Sequence, residues 1–396
     1  MQNLLEKDYL LKRIPEREYI ERANKIRRAL NEEGLEVGIA YATEHMPGDV
    51  QYLTGYDPHL ENVALLVTPD RVIGLGGAEG AEMFEDSARF GEWRNLSLFE
   101  IPFQDYGDTK FWTLPEILKD VVGGIPGEIG ILSASNVMSA EMMELIDATG
   151  PNTKTRNVSH ILAKARYEKS AAELDMYRIA SGIATEAMRI LLDRMQPGLR
   201  ELELAAEADH VMKRMGAYSY GFDAIVCSGP RINTIIGRSS NRVIREGEIV
   251  MLGVSPRYEG YTSAIGRTVV AGTASPEQRE FLDHGIEGYN LASKEFRAGN
   301  PAKDVDGAAR EYLTSVGLGQ YHTYGVGHGI GFTECLEGKT ATSASDYDLP
   351  TGVAMMLDVG LFGVPKHFGA RHENPHMVDH NGQSKVLTDL PMKVYK

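Results

Sequence analysis

Apolar residues first recur at helical spacing between Pro15 and Glu33. Tyr19, Ala23, Ile26 and Leu30 fall on one stripe there, and Gly34 can close the helix. The pattern then changes to short apolar runs. Residues 36–42, 63–67, 72–75, 96–101 and 129–132 read as strands, with Pro69-Asp70 as the turn between the second and third. Tyr52–Tyr56 ends in a turn, and helical patches lie at 113–118 and 140–148. This predicts an α/β domain over residues 1–155. Residues 156–170 carry charge and little strand pattern, as expected of a passage between domains.

Helix pairs open the second half. Ser170–Met195 carries Leu174, Ile179, Ile183, Ala187 and Ile190 at helical spacing and stops at Pro197-Gly198. Glu201–Met215 is a second helix. Strand-like runs follow at 223–227, 248–252 and 267–270, then helices at 276–297 and 305–316, then strands at 355–357 and 376–378. The expected fold is α+β: an N-terminal α/β domain, then residues 156–396 as a curved, mostly antiparallel sheet backed by helices.

Composition adds exclusions. A net charge of -15 with no basic stripe argues against a nucleic-acid partner. Two cysteines, Cys227 and Cys335, cannot build a disulfide framework. The N-terminus lacks a basic segment followed by an apolar core, and no uncharged run is long enough to span a bilayer. The expectation is a cytoplasmic protein with no membrane partner.

Candidate chemistry gathers near the C-terminus. Tyr324-Gly-Val-Gly-His328-Gly-Ile-Gly-Phe332 sets a histidine among glycines, whose small size lets backbone or ligand come close. An apolar run leads into Asp358, and Arg371-His-Glu373-Asn follows. His328 suits proton transfer near neutral pH; the alternative is a hydrogen-bonded structural histidine. Asp358 and Glu373, packed close, would favour one retained proton, or each would bind a cationic group. Arg371 and Glu373 would share a strand face. Arg371, Arg231 and Arg238 are candidates to hold a substrate carboxylate through the guanidinium fork. Cys335 is either a nucleophile or a small buried hydrophobe. Glu334 and Glu337 flank it as candidates for a further acid or base.

The second half resembles the creatinase, prolidase and methionine aminopeptidase superfamily, the pita-bread fold. The resemblance rests on Phe222–Pro230, Arg245–Val250, Tyr258–Ser263, Gly325–Gly331 and Gly369–Asn374. Gly48–Tyr56 resembles the creatinase-type N-terminal domain. By this resemblance, the two metal-binding aspartates of the metallopeptidases map onto Gly253 and Ala264. The histidine is kept as His328, and the two glutamates map onto Asp358 and Glu373. Glycine and alanine offer no side-chain oxygen to a metal. The resemblance also implies that Asp57, His59 and Asn62 line a partner subunit's pocket in a homodimer. The slot of Cys335 is a histidine in the metallopeptidases.

These features point to a metal-independent, creatinase-like hydrolase, with no cofactor, of a C–N bond in a small nitrogenous carboxylate other than creatine. His328, Glu373 and Asp358 would be catalytic. Arg371, Arg231, Arg238, Cys335, Glu337, Asp57 and His59 would bind substrate. The alternatives are a metal-dependent Xaa-Pro dipeptidase-like peptidase with a reduced site, a small-molecule lyase and a non-catalytic binding homologue.

Overall fold

The computed structural model describes residues 12–335 and 337–394. Residues 1–11, part of the segment read above for a targeting signal, lie outside them. The chain divides into two compact units: residues 14–166, and residues 167 onward together with 12 and 13.

The first unit runs α1 (Glu16–Glu32), β1 (Gly38–Ala42), α2 (Gly48–Thr54), β2 (Val63–Val67), β3 (Val72–Gly76), α3 (Ala78–Ser87), β4 (Glu92–Asn95), α4 (Leu114–Val122), β5 (Glu128–Ile131), α5 (Ala140–Asp147) and β6 (Lys154–Asn157). Its sheet has the order β4-β3-β2-β1-β5-β6 and mixes parallel with antiparallel pairs. The α1 stripe buries Tyr19, Ala23, Ile26 and Leu30 as its spacing predicts. Thr113 and Glu116 close a capping box on α4.

The expected strand at 96–101 is instead a short 3-10 turn over Ser97–Phe99, and the strand lies just before it as β4. All four β4 residues are half-exposed, so this edge strand carries no apolar run to betray it. The passage at 156–170 is also more regular than its charge suggests. It holds the end of β6 and the helix α6 (His160–Tyr167).

The second unit opens with α7 (Ala171–Arg194) and α8 (Glu201–Arg214). Ser170 and Glu173 form a capping box at the start of α7. Strands β7 (Ser219–Ser228), β8 (Ile249–Tyr258), β9 (Tyr261–Thr262) and β10 (Ile265–Val270) follow. Then come α9 (Pro276–Glu295), α10 (Ala302–Ser315), β11 (Gly327–Gly329), β12 (Thr340–Ala341), β13 (Val353–Val364), β14 (Phe368–Val378) and β15 (Ser384–Val386). The sheet order is β12-β11-β13-β14-β10-β8-β7, with β15 on β14 and β9 on β8. Among the described residues its strands pair antiparallel throughout. Helices α9 and α10 supply Phe281, Leu282, Tyr289, Val305 and Leu313 to one large apolar core with Met355, Leu357, Val359 and Leu361 of β13. The expected α+β fold with an antiparallel sheet backed by helices is what the chain adopts. Among the described residues, no helix is long and apolar enough to cross a membrane.

Candidate functional site

Register places the chemistry on the face of the sheet away from that core. His328 pairs with Met356, Asp358 with Glu373, and Gly360 with Arg371. Residues two apart on a strand share a face, so His328, Asp358, Arg371 and Glu373 converge. Gly266 lies opposite Glu373. A Cβ there would fall 2.9 Å from both Arg371 Cγ and Glu373 Cβ, so glycine gives these two side chains their room.

The charged groups divide into two sets. In the first, His328 Nε2 lies 3.7 Å from a Glu334 oxygen and 3.8 Å from Glu373 Oε1. The other oxygen of Glu373, Oε2, is buried without a hydrogen-bond partner. Burial opposes charge on His328, but Glu334, Glu373 and Asp358 outweigh it and lift the imidazole to about 9.

In the second set, Tyr324 Oη donates to Asp358 Oδ2 at 2.8 Å. Arg371 Nε lies 3.2 Å from the same oxygen without the alignment of a hydrogen bond. Burial raises Asp358 to about 6 against the pull of Arg371. Burial works against the charge on Arg371, but Asp358 and its neighbours hold the guanidinium protonated. Tyr324 reaches Asp358 across Gly360, where a Cβ would stand 2.0 Å from the phenol oxygen.

A buried carboxylate fixes the backbone behind this set. Asp306 on α10 accepts from the amides of Val326 (3.1 Å) and Ser343 (3.0 Å) and from Arg310 (3.1 and 3.2 Å). Arg310 donates onward to the Tyr324 carbonyl at 3.2 Å. The Val326 carbonyl in turn accepts from the Asp358 amide at 2.8 Å. The helix and the glycine-rich segment are therefore locked to the strand that carries Asp358.

Other candidates lie elsewhere. Arg231 is bound to the buried carboxylate of Glu201 at 3.0 Å, and exposed Arg238 lies 3.5 Å from Asp223. Glu337 is buried, accepting from Thr333 Oγ1 at 3.0 Å with Lys169 Nζ 3.9 Å away. Cys335 is exposed and free. Although the residue is exposed, partial enclosure of its sulfur, with the nearby Glu334 and Glu373, pushes the thiol up to about 11, which disfavours a nucleophilic thiolate. In the first unit, exposed His59 faces Glu44 at 3.0 Å, and Asp57 and Asn62 flank it in the same polar loop. Glu334 is the residue whose place the sequence did not give. Only the return of the 331–335 loop onto the sheet brings it to His328.

His328, Glu334 and Glu373 each present one ligand atom, all within 4.8 Å of one another. Donors on a tetrahedral ion with bonds of about 2.1 Å sit about 3.4 Å apart, so the separations found need little closure. With the unpartnered Glu373 oxygen, these residues fit a divalent cation.

Known proteins agree. The profile of metallopeptidase family M24 matches residues 175–380. A Xaa-Pro dipeptidase of Pyrococcus furiosus is 29% identical over 280 residues, covering 70% of this chain and 77% of that protein. Among solved structures, a Xaa-Pro dipeptidase from Bacillus anthracis is 25% identical with a TM-score of 0.79, covering 95% of this chain and 99% of that one. The prolidase of Pyrococcus horikoshii OT3 has a TM-score of 0.80 at 23% identity, over 94% and 99% of the two chains, which shows the shared fold. The expectation of a metal-independent, creatinase-like hydrolase is overturned. It rested on two absent aspartates, while the folded chain gathers a metal-capable triad and its relatives are metallopeptidases. The protein is a hydrolase acting on a C–N bond, and the chain belongs to metallopeptidase family M24.

Proposed function

We propose that this chain is a metal-dependent peptidase of the Xaa-Pro dipeptidase type, working with a reduced set of metal donors. The observation that carries this reading is the convergence of His328, Glu334 and Glu373, with one Glu373 oxygen buried and unpartnered. Two positions that the resemblance assigns to metal-binding aspartates are Gly253 and Ala264, so Glu334 replaces part of what they would supply. The bound ion would supply Lewis-acid polarisation of the scissile carbonyl and a more acidic water.

The chain's own groups do the rest. Arg371 keeps its charge inside the pocket, and its Nη1 has no protein partner among the described residues, so it can receive the substrate's carboxylate. Asp358, raised to about 6, can hold a proton or bind the substrate's amine, with Tyr324 fixing one of its oxygens. Substrate-like binding roles for Arg231, Arg238 and Glu337 have less support, because each is engaged with, or lies beside, a charged or polar partner of its own.

We also propose a homodimer in which the Asp57–Asn62 loop lines the neighbouring site. It is supported by bulky apolar side chains exposed on the first unit at Leu60, Ile101 and Phe103. Leu60 and Phe103 are held at φ 60 and φ 65, a region that such residues seldom occupy. Light scattering tests this, and a monomer with full activity refutes it.

The activity test is hydrolysis of Xaa-Pro dipeptides by protein stripped with a chelator and reloaded with Mn²⁺, Co²⁺ or Zn²⁺. Cleavage restored by metal is the expected result. Absence of cleavage with all three ions overturns the reading.

A further inference from the structure

Oxygen donors in this pocket are few and already divided. His328, Glu334 and Glu373 converge, while Asp358 is turned to Tyr324 at 2.8 Å and to Arg371 at 3.2 Å. Beyond Glu373 the sheet continues into Gly266 and then Gly253, neither of which has a side chain. Ala264 is fully buried in an apolar cluster with Ile330, Met356 and Met377. The hydroxyl of Tyr177, which packs in the same cluster, already donates to the Met355 carbonyl at 3.3 Å. Methyl and thioether groups are poor ligands for a hard divalent ion, and an ion entering there would lose hydration without replacement.

Charge gives the same count. With His328 neutral, the carboxylates of Glu334, Glu373 and Asp358 set against the guanidinium of Arg371 leave two negative charges. One divalent cation neutralises them. A second would place uncompensated positive charge beside a buried arginine.

We infer that the pocket takes one divalent cation and is closed to a second, with Glu334 as the third protein donor beside His328 and Glu373. This rests on the metal-dependent reading above. Arg371 is central to the arrangement: by engaging Asp358 it removes the carboxylate that a second ion would need, and it occupies the space that Gly266 leaves open.

The test counts ions without using activity. Full-length protein stripped with a chelator is dialysed against Mn²⁺ or Co²⁺, and bound metal per chain is measured by elemental analysis. One ion per chain is expected. Glu334→Gln should weaken its binding by at least about tenfold, leave the stripped protein folded, with an unchanged far-ultraviolet circular dichroism spectrum, and alter the visible spectrum of the Co²⁺ form. Glu334→Asp, which keeps the charge, should recover part of the affinity. Two ions per chain would overturn the inference and leave the metal-dependent reading standing. No bound ion would overturn that reading and the inference with it. One ion held equally well by wild type and Glu334→Gln would remove Glu334 from the ligand set.

Discussion

His328 and His372 are both enclosed imidazoles on one sheet, separated by strand β13, and their acidities are driven in opposite directions. His328 faces Glu334 and Glu373 and is lifted to about 9. His372 lies on the reverse face of β14, where neither ring nitrogen has a hydrogen-bond partner. Burial, and secondarily Arg267, push it down to about 3. His376, on the same reverse face, is also pushed to about 3 by burial, although its Nε2 meets Tyr289 Oη at 2.9 Å. Enclosure alone therefore does not decide an imidazole's charge; the partners on its face do. One face of β14 sets carboxylates beside its imidazole, and the other sets its imidazoles in apolar surroundings near the buried guanidinium of Arg267.

Substitution breaks this contrast most strongly. His328→Ala should reduce kcat/KM on the order of 10³-fold and abolish high-affinity metal binding. His372→Leu, on the same sheet, should leave turnover within about twofold, because it touches no reacting group. Comparable losses from the two changes would show that both histidines act through the fold.

Metal affinity should sharpen the comparison next. An ion takes the neutral imidazole, so a proton held to about 9 competes with it. Apparent affinity for Mn²⁺ should rise about tenfold per pH unit between pH 6.5 and 8.5. Calorimetric titration at several pH values checks this, and a flat profile would mean that His328 is not a ligand.

Stability of the metal-free protein should fall on both sides of neutrality. The folded values of His372 and His376 lie below the unfolded value of about 6.5. The unfolded chain therefore binds more protons in that interval, and stability is lost as pH drops from about 6.5 towards 3. The folded value of His328 lies above it. Its contribution is complete below about 6.5 and is lost as pH rises through about 9. Each group contributes a slope of up to about 1.4 kcal/mol per pH unit within its interval. Urea unfolding should show His372→Leu flattening the acid limb and His328→Gln the alkaline limb. Tyr324→Phe should have a smaller effect on catalysis than His328→Ala. It removes one hydrogen bond to Asp358 and should lower kcat/KM about tenfold with metal content unchanged, as steady-state kinetics and elemental analysis would show.

Much of this was legible in the sequence because local chemistry and tertiary structure agree. The apolar stripes over 15–33 and 170–195 predict helices where the chain forms α1 and α7. The alternation Arg371-His-Glu373 put the two charged groups on one face, as the register now shows. What failed was reasoning from absence. Empty positions at 253 and 264 suggested a metal-free pocket, but a carboxylate can arrive from a loop that no periodicity describes, as Glu334 does beside His328 and Glu373. Arg231 has a partner on another helix, Glu201, whose approach only the folded chain reveals. The half-exposed strand β4 was missed for want of an apolar run.

Gly360 makes no contact through a side chain, yet it decides what Asp358 can be. Even a methyl group there would collide with the Tyr324 phenol at 2.0 Å. The ring would have to leave, and Asp358 would keep only its arginine. In a saturation library selected for turnover, position 360 should therefore accept glycine alone. Tyr324→Phe in the same chain should not restore tolerance for alanine, because the added carbon would still stand 2.6 Å from the Tyr324 ring and 2.5 Å from Phe362. Two aromatic rings, and not one hydroxyl, thus keep this position bare.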